Sequence, residues 1–261
     1  MAGPLVKLEK HDDNIAILTF NRPEKLNALS TLLLEEFEAQ LRDVERDPDI
    51  RVVILTGEGE KAFVAGADIG GYADQNGEAF MAFQLSGRRI NDYLERFPKA
   101  VIAAVNGYAL GGGFEIALCC DVIIVSTTAR MGLPEGLLGL SPGGGGTQRL
   151  TRAVGRYVAA DLLLSGRRLS GRRAYELGLA AEVVEPAKLM ETAIAKAEYM
   201  LRVAPLSIRE MKRLIRIGAD AALPTGLALE QEVLFRLFNS RDGQEGIRAF
   251  IEKREPIFLG R

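Results

Sequence analysis

The stretch that most constrains the fold is residues 101–135, VIAAVNGYALGGGFEIALCCDVIIVSTTARMGLPE. Residues 101–105 are apolar and uncharged, which predicts a strand buried on both faces. Asn106 and Gly107 mark a turn, and Gly111, Gly112 and Gly113 lead into residues 114–120, which read as a helix. Glycines between a buried strand and a helix free the backbone of Cβ crowding, so it can bend sharply and come close to a ligand. The first helical amides have no partner within the helix, and the dipole there favours negative charge. A ligand oxygen that becomes anionic during a reaction would be stabilised at that point.

Two carboxylates flank this turn. Glu115 falls in the first helical turn, and Glu135 lies farther along in the apolar loop of residues 131–135. Each feature alone has a plainer reading. The glycines could be a tight connection, Glu115 an acid favouring the dipole, and Glu135 an ordinary loop residue. Together they point to chemistry, because burying a charge in apolar surroundings is costly and an active site is one reason to accept that cost.

The segments IAAVNGYALGGGFE and MGLPEGLLGLSPGGGGTQRLTRAVG closely resemble the enoyl-CoA hydratase/isomerase (crotonase) family. FNRPEKLNAL, KAFVAGADI and EGIRAFIEKR resemble three further landmarks of that family, in the same order. The resemblance implies an α/β fold, a spiral of strand–strand–helix turns over residues 1–187, followed by a helical oligomerisation lobe over residues 188–261. It implies an oxyanion hole made by the Ala67 and Gly112 amides, a reacting water held with help from the Gly143 amide, and catalysis by Glu115 and Glu135. Members with glutamate at both positions are typically hydratases. Lys25, Lys61, Ala65, Asp68 and Ile69 are the implied coenzyme A contacts, with Phe250 and Lys253 contacting it across subunits of a homotrimer or homohexamer. No metal or redox cofactor is implied; coenzyme A enters with the acyl-CoA substrate. Gly70 departs from the pattern, since many relatives carry a basic residue just after the position of Ile69.

Other chemistries find little support. The chain of 261 residues carries a formal net charge of −2, which offers no electrostatic footprint for nucleic acid or a membrane surface. Its one histidine, His11, sits beside a polar turn with nothing to suggest a catalytic triad. Metal-ligand spacings are absent, GEGEKAF lacks the end of a phosphate loop, and no GxGxxG follows a strand. Cys119 and Cys120 are adjacent in an apolar run and read as core residues of a reducing compartment. With no apolar run of membrane-spanning length and no signal-peptide pattern, the cytoplasm is the expected location.

In chain order, residues 6–10 and 15–20 predict a hairpin. Ser30 is placed to cap a helix whose apolar face is Leu34, Phe37, Leu41 and Val44, ended at Asp47-Pro48. Residues 52–56 predict a buried strand, residues 71–78 a loop, and residues 80–97 a helix. Phe80, Met81 and Phe83 either line an acyl pocket or form an ordinary core face. Residues 149–156, 159–164 and 169–177 predict helices, and residues 180–184 a closing strand. Amphipathic helices follow over 190–203, 206–218, 227–238 and 245–253, separated by Pro205, Pro224 and Asn239.

The expected reaction is addition of water across the 2,3 double bond of a 2-enoyl-CoA. Isomerisation of an enoyl-CoA by one carboxylate is the alternative within the family. RNA binding by the region 86–92, which holds only Arg88 and Arg89 next to Asp92, and a catalytically idle assembly subunit are the remaining readings.

Overall fold

The computed structural model describes residues 3–71 and 76–261. Strands β1 (Val6–His11) and β2 (Ile15–Phe20) form the predicted hairpin, paired antiparallel from Val6 opposite Phe20 to His11 opposite Ile15. Helix α1 (Thr31–Arg46) starts where the Ser30 hydroxyl accepts from the Leu33 amide at 3.2 Å. Leu34, Phe37, Leu41 and Val44 are buried along it as their spacing predicts, joined by Leu33.

From there the chain repeats one unit three times. A long strand is followed by a short strand and then a helix: β3 (Val52–Gly57), β4 (Ala62–Val64) and α2 (Gly77–Glu95); β5 (Ala100–Val105), β6 (Tyr108–Leu110) and α3 (Gly112–Leu118). The third unit is β7 (Val122–Ser126), β8 (Arg130–Gly132), a 3-10 turn (Pro134–Leu138) and α4 (Gly146–Val154). Helices α5 (Arg156–Ser165) and α6 (Gly171–Glu176) follow, the latter preceded by β9 (Leu169–Ser170) and followed by β10 (Glu182–Val184). The long strands form a six-stranded sheet of order β1-β2-β3-β5-β7-β10, parallel beyond the first pair. The short strands form a second sheet, β4-β6-β8-β9. This is the strand–strand–helix spiral that the resemblance implies.

Burial of the large sheet explains its apolar sequences. Val101, Ala103 and Val105 of β5 face a cluster shared with α1 and α3, while Ala100, Ile102 and Ala104 face a second cluster. That second cluster is closed by Leu189, Ala193 and Ala197 of α7 (Leu189–Leu201), so both faces of the sheet are covered. Helix α7 is thus the cover of the sheet, and α8 (Pro205–Gly218), α9 (Leu223–Phe238) and α10 (Arg241–Glu252) follow it. Lys212 of α8 reaches back to Asp121 Oδ2 at 2.6 Å and the Lys99 carbonyl at 2.7 Å, tying α8 to the ends of β5 and β7.

Several boundaries differ from expectation for identifiable reasons. Helix α2 begins at Gly77 rather than residue 80, because Asn76 accepts from the Ala79 amide and caps it. Of the loop predicted over 71–78, residues 72–75 lie outside the described residues. The helix predicted over 169–177 starts later: Leu169 pairs with Met131, and Ser170 is a cap. Pro205 and Pro224 do not separate helices but begin them, since the first turn has no use for the missing amide hydrogen.

The central position of β5 makes a direct test. Ile102→Ala should cost about 2–5 kcal/mol of unfolding free energy, because Ile102 is fully buried between the sheet and α7. Chemical denaturation measures it, and a loss below about 1 kcal/mol would contradict this packing.

Candidate active site

The segments that follow the short strands β4, β6 and β8, together with α2, converge on a cavity of about 280 Å³. Its wall brings together Ala67, Gly112, Glu115, Glu135 and Gly143, five residues dispersed over the sequence, along with Ala65 and Ile69. Phe80 and Phe83 of α2 line it too, whereas Met81 points outward, 54% exposed. Of the three residues proposed for an acyl pocket, two therefore fit and one does not.

The turn into α3 is built by its glycines. Gly111 takes φ 51°, ψ −126°, a conformation closed to residues with a Cβ, and turns the chain from β6 into the helix. Gly113 packs so close to β4 that a Cβ would come within 2.1 Å of the Val64 carbonyl oxygen. That approach places the Gly112 amide, a first-turn donor without an intrahelical partner, at the cavity wall. Opposite it, Leu29 and Ala67 form an isolated parallel bridge. The Leu29 amide donates to the Gly66 carbonyl at 2.8 Å, and the Asp68 amide to the Leu29 carbonyl at 2.9 Å. Since successive amides of an extended chain alternate sides, the Ala67 N–H between them points away from Leu29.

The two glutamates occupy contrasting surroundings. Glu115, 4% exposed, projects from α3 beneath the glycine-rich entry to α4. Its Oε1 accepts from the amides of Gly144 and Gly146, both at 2.8 Å. Burial raises the Glu115 pKa, and the two amides, with the positive charges of Arg149 and Arg88, offset part of that rise. Glu135 stands in the 3-10 turn after β8, with Oε1 close to Gly111. Its Oε2 is buried with no hydrogen-bond partner among the described residues. Burial pushes its pKa up to about 7, opposed by its own amide and reinforced by the negative charge of Glu115. Burial raises both carboxyls, but only Glu115 has backbone donors that oppose the rise from another segment of the chain.

The implied coenzyme A contacts fall in three places. Ala65 and Ile69 line the cavity, and Asp68 lies beside it, paired with Arg22 at 3.1 Å. Lys61 lines a separate outer depression with Pro23 and Leu26, and Lys25 is exposed on the 3-10 turn Pro23–Lys25 nearby. Phe250, 86% exposed, and Lys253, the left-handed cap of α10, are not part of the cavity wall. Away from the cavity, ligand-type atoms of His11, Asp12 and Glu198 come within 4.8 Å of one another at the surface.

Sequence reading missed Asn91, which is buried in the cavity wall and donates to the Gly144 carbonyl at 3.1 Å. Its signal was available: a polar residue between Ile90 and Leu94, on the inward side of α2. Gly144 and Gly146 were also missed as partners of Glu115, since backbone donors leave no mark in residue type.

The Glu135 environment has a consequence for stability. Folding raises its pKa above the ordinary 4.5, so the folded chain holds this proton more tightly than the unfolded one. The resulting stabilisation is complete below the ordinary value and is lost as pH rises through about 7. The difference in unfolding free energy between the wild type and Glu135→Gln should therefore shift against the wild type across that window. A difference that stays flat with pH would contradict the burial assigned to this carboxyl.

Comparison with known proteins agrees with this geometry. The enoyl-CoA hydratase/isomerase family model matches residues 10–261. A short-chain-enoyl-CoA hydratase of Clostridium acetobutylicum is 43% identical over 250 residues, covering 96% of this chain and 95% of that protein. A 2,3-dehydroadipyl-CoA hydratase of Escherichia coli is 40% identical over 249 residues, covering 95% and 96%. The crystal structure of an enoyl-CoA hydratase from Bacillus anthracis superposes with a TM-score of 0.95 at 39% identity, covering 98% of this chain and all of that one. With the cavity, both carboxylates and a match along nearly its whole length, the chain belongs to the enoyl-CoA hydratase/isomerase family.

Proposed function

We propose that this protein is an enoyl-CoA hydratase, adding water reversibly to the 2,3 double bond of a 2-enoyl-CoA thioester to give the 3-hydroxyacyl-CoA. The observation that carries the reading is one cavity holding a buried and a half-buried carboxylate of different character beside two amide-bearing turns. Relatives named for short-chain enoyl-CoA, crotonyl-CoA and 2,3-dehydroadipyl-CoA support an acyl-CoA substrate.

In this mechanism the thioester oxygen sits between the Ala67 and Gly112 amides. Fixed donors there stabilise the negative charge that grows on the oxygen and draw electron density from the β-carbon. Glu115 takes a proton from the water as its oxygen attacks that carbon, the Gly143 amide helping to hold it. Glu135 delivers a proton to the α-carbon, closing the addition with no net change in charge. A carboxyl of pKa about 7 suits that donor role, and an amide-held carboxylate suits the base. No metal or redox group enters this scheme.

The nucleotide end of coenzyme A would lie along Lys25 and Lys61, with Phe250 and Lys253 supplied by a neighbouring copy. Leu227, Leu234, Phe235 and Phe238 of α9 and Phe250 and Ile251 of α10 are all more than half exposed, which supports burial against other copies in a homotrimer or homohexamer. Within the 188–261 segment, α7 covers the large sheet and α8 to α10 form the assembly lobe in this reading. A cytoplasmic location is part of it, in keeping with the free Cys119 and Cys120; no helix among the described residues is long and apolar enough to cross a membrane. RNA binding by α2 is disfavoured, because Arg88 and Arg89 are ion-paired with Asp92 and Glu38.

Two predictions follow from the reading. Glu115→Gln and Glu135→Gln should each lower crotonyl-CoA hydration by about 10²–10⁴-fold, with the double variant little worse than the poorer single one. An isomerase would depend on one glutamate alone, so near-normal hydration in either single variant would refute the paired mechanism. Second, ending the chain after Asn239 removes α10 and should lower both assembly mass and coenzyme A affinity. A truncated monomer with unchanged KM would contradict the shared site.

A further inference from the structure

We propose that Asn91 and Arg149 are positioning residues that hold the Gly144 carbonyl from two helices and thereby aim the Gly144 and Gly146 amides at Glu115. The proposal rests on the reading of Glu115 as the base. Residues 143–146 are four glycines in succession, a sequence with no side chain to choose its own backbone conformation. Yet two amides within it must meet a single carboxylate oxygen, which requires Gly145 to sit at φ 106°. The order comes from outside the loop. Asn91 Nδ2 of α2 donates to the Gly144 carbonyl at 3.1 Å, and Arg149 Nη1 of α4 donates to the same oxygen at 2.9 Å.

The clamp is itself anchored. Arg149 Nη2 donates to Asp92 at 3.1 Å and Glu95 at 2.9 Å, and its Nε to Glu95 at 3.1 Å, so the guanidinium cannot leave α2 without breaking several charged contacts. The three groups meet tightly at Gly144, where a Cβ would come within 2.4 Å of Glu115 Oε2 and 2.7 Å of Asn91 Nδ2. A carbonyl held on both sides fixes the peptide plane between Gly144 and Gly145, the central plane of the three whose outer two carry the Gly144 and Gly146 amides, and so removes the rotation through which those amides would most easily swing away from Glu115. Charged and titratable groups facing Glu115 are Arg88 from α2, Arg149 from α4 and Glu135 from the 3-10 turn, with Cys119 on its own helix.

The experiment measures kcat, KM and the pH profile of kcat for crotonyl-CoA hydration in Asn91→Leu and Arg149→Lys, each alone and combined with Glu115→Gln. Arg149→Lys keeps a cation beside Asp92 and Glu95 while losing the fork, and Asn91→Leu keeps the volume, so either can carry the test if the other fails to fold. Each should lower kcat roughly 10- to 100-fold, with KM changed far less. The acid limb should move to higher pH, because amides that no longer meet Glu115 no longer favour its charged form. Arg149 is not in the cavity wall, so its effect cannot come from touching substrate. In the Glu115→Gln background the same substitutions should add little. Wild-type kcat with an unmoved acid limb, or an equal loss in the Glu115→Gln background, would overturn the clamp. Full activity of Glu115→Gln itself would overturn the role of Glu115, and the clamp with it.

Discussion

The site depends on the capture of one buried carboxylate oxygen by two backbone amides. Burial on the inside of α3 disfavours the charged form of Glu115, and the 2.8 Å bonds from Gly144 and Gly146 oppose that from a different unit of the spiral. That contact joins the second and third units across the cavity. Losing it would leave a buried carboxyl oxygen without its donors and release the glycine loop that forms one wall. Much of the surrounding architecture can be understood as holding the loop still: Asn91 from α2, Arg149 from α4, and the acids Asp92 and Glu95 behind them.

The spiral explains how such distant residues meet. Each unit gives one strand to the large sheet and one to the small sheet, so the short strands β4, β6 and β8 lie side by side in the latter. The loops after them then open at the same place: Ala67 follows β4, Gly112 follows β6 and Glu135 follows β8. Repetition of one backbone unit sets three functional groups around a single cavity, and the large apolar sheet, covered on both faces, keeps their spacing rigid. Differences between the units then supply the chemistry. The second unit carries a carboxylate with amide donors, and the third carries one whose buried oxygen has none among the described residues.

Legibility in the sequence followed the physics of each element. The buried strand β5, the capped helix α1 and the glycine turn into α3 announce themselves through uninterrupted apolarity, helical spacing and residues without Cβ; the first two are where their patterns put them, while α3 runs from Gly112 to Leu118 rather than over 114–120, because Gly111 alone makes the turn. Strands β6 and β8 are three residues each, too short for alternation to show, and they exist because neighbouring short strands complete their hydrogen bonds. Glu115, Glu135, Ala67, Gly112 and Gly143 were identified through the resemblance together with their local sequence, and the structure brings them to one cavity. Their juxtaposition was invisible, as was the Asn91 clamp, because both are produced by packing between units rather than by neighbours in the chain. Lys61, Phe250 and Lys253, expected from the resemblance, lie off the cavity in the single chain.

The central claim is that this cavity adds water to a conjugated thioester. The most direct measurement incubates the protein with crotonyl-CoA in water enriched in oxygen-18 and deuterium and identifies the product by mass spectrometry and NMR. The account predicts 3-hydroxybutyryl-CoA carrying one solvent oxygen at C3 and one solvent hydrogen at C2. Crotonyl-CoA recovered without solvent oxygen, while a 3-enoyl-CoA is converted to the 2-enoyl isomer, would contradict it.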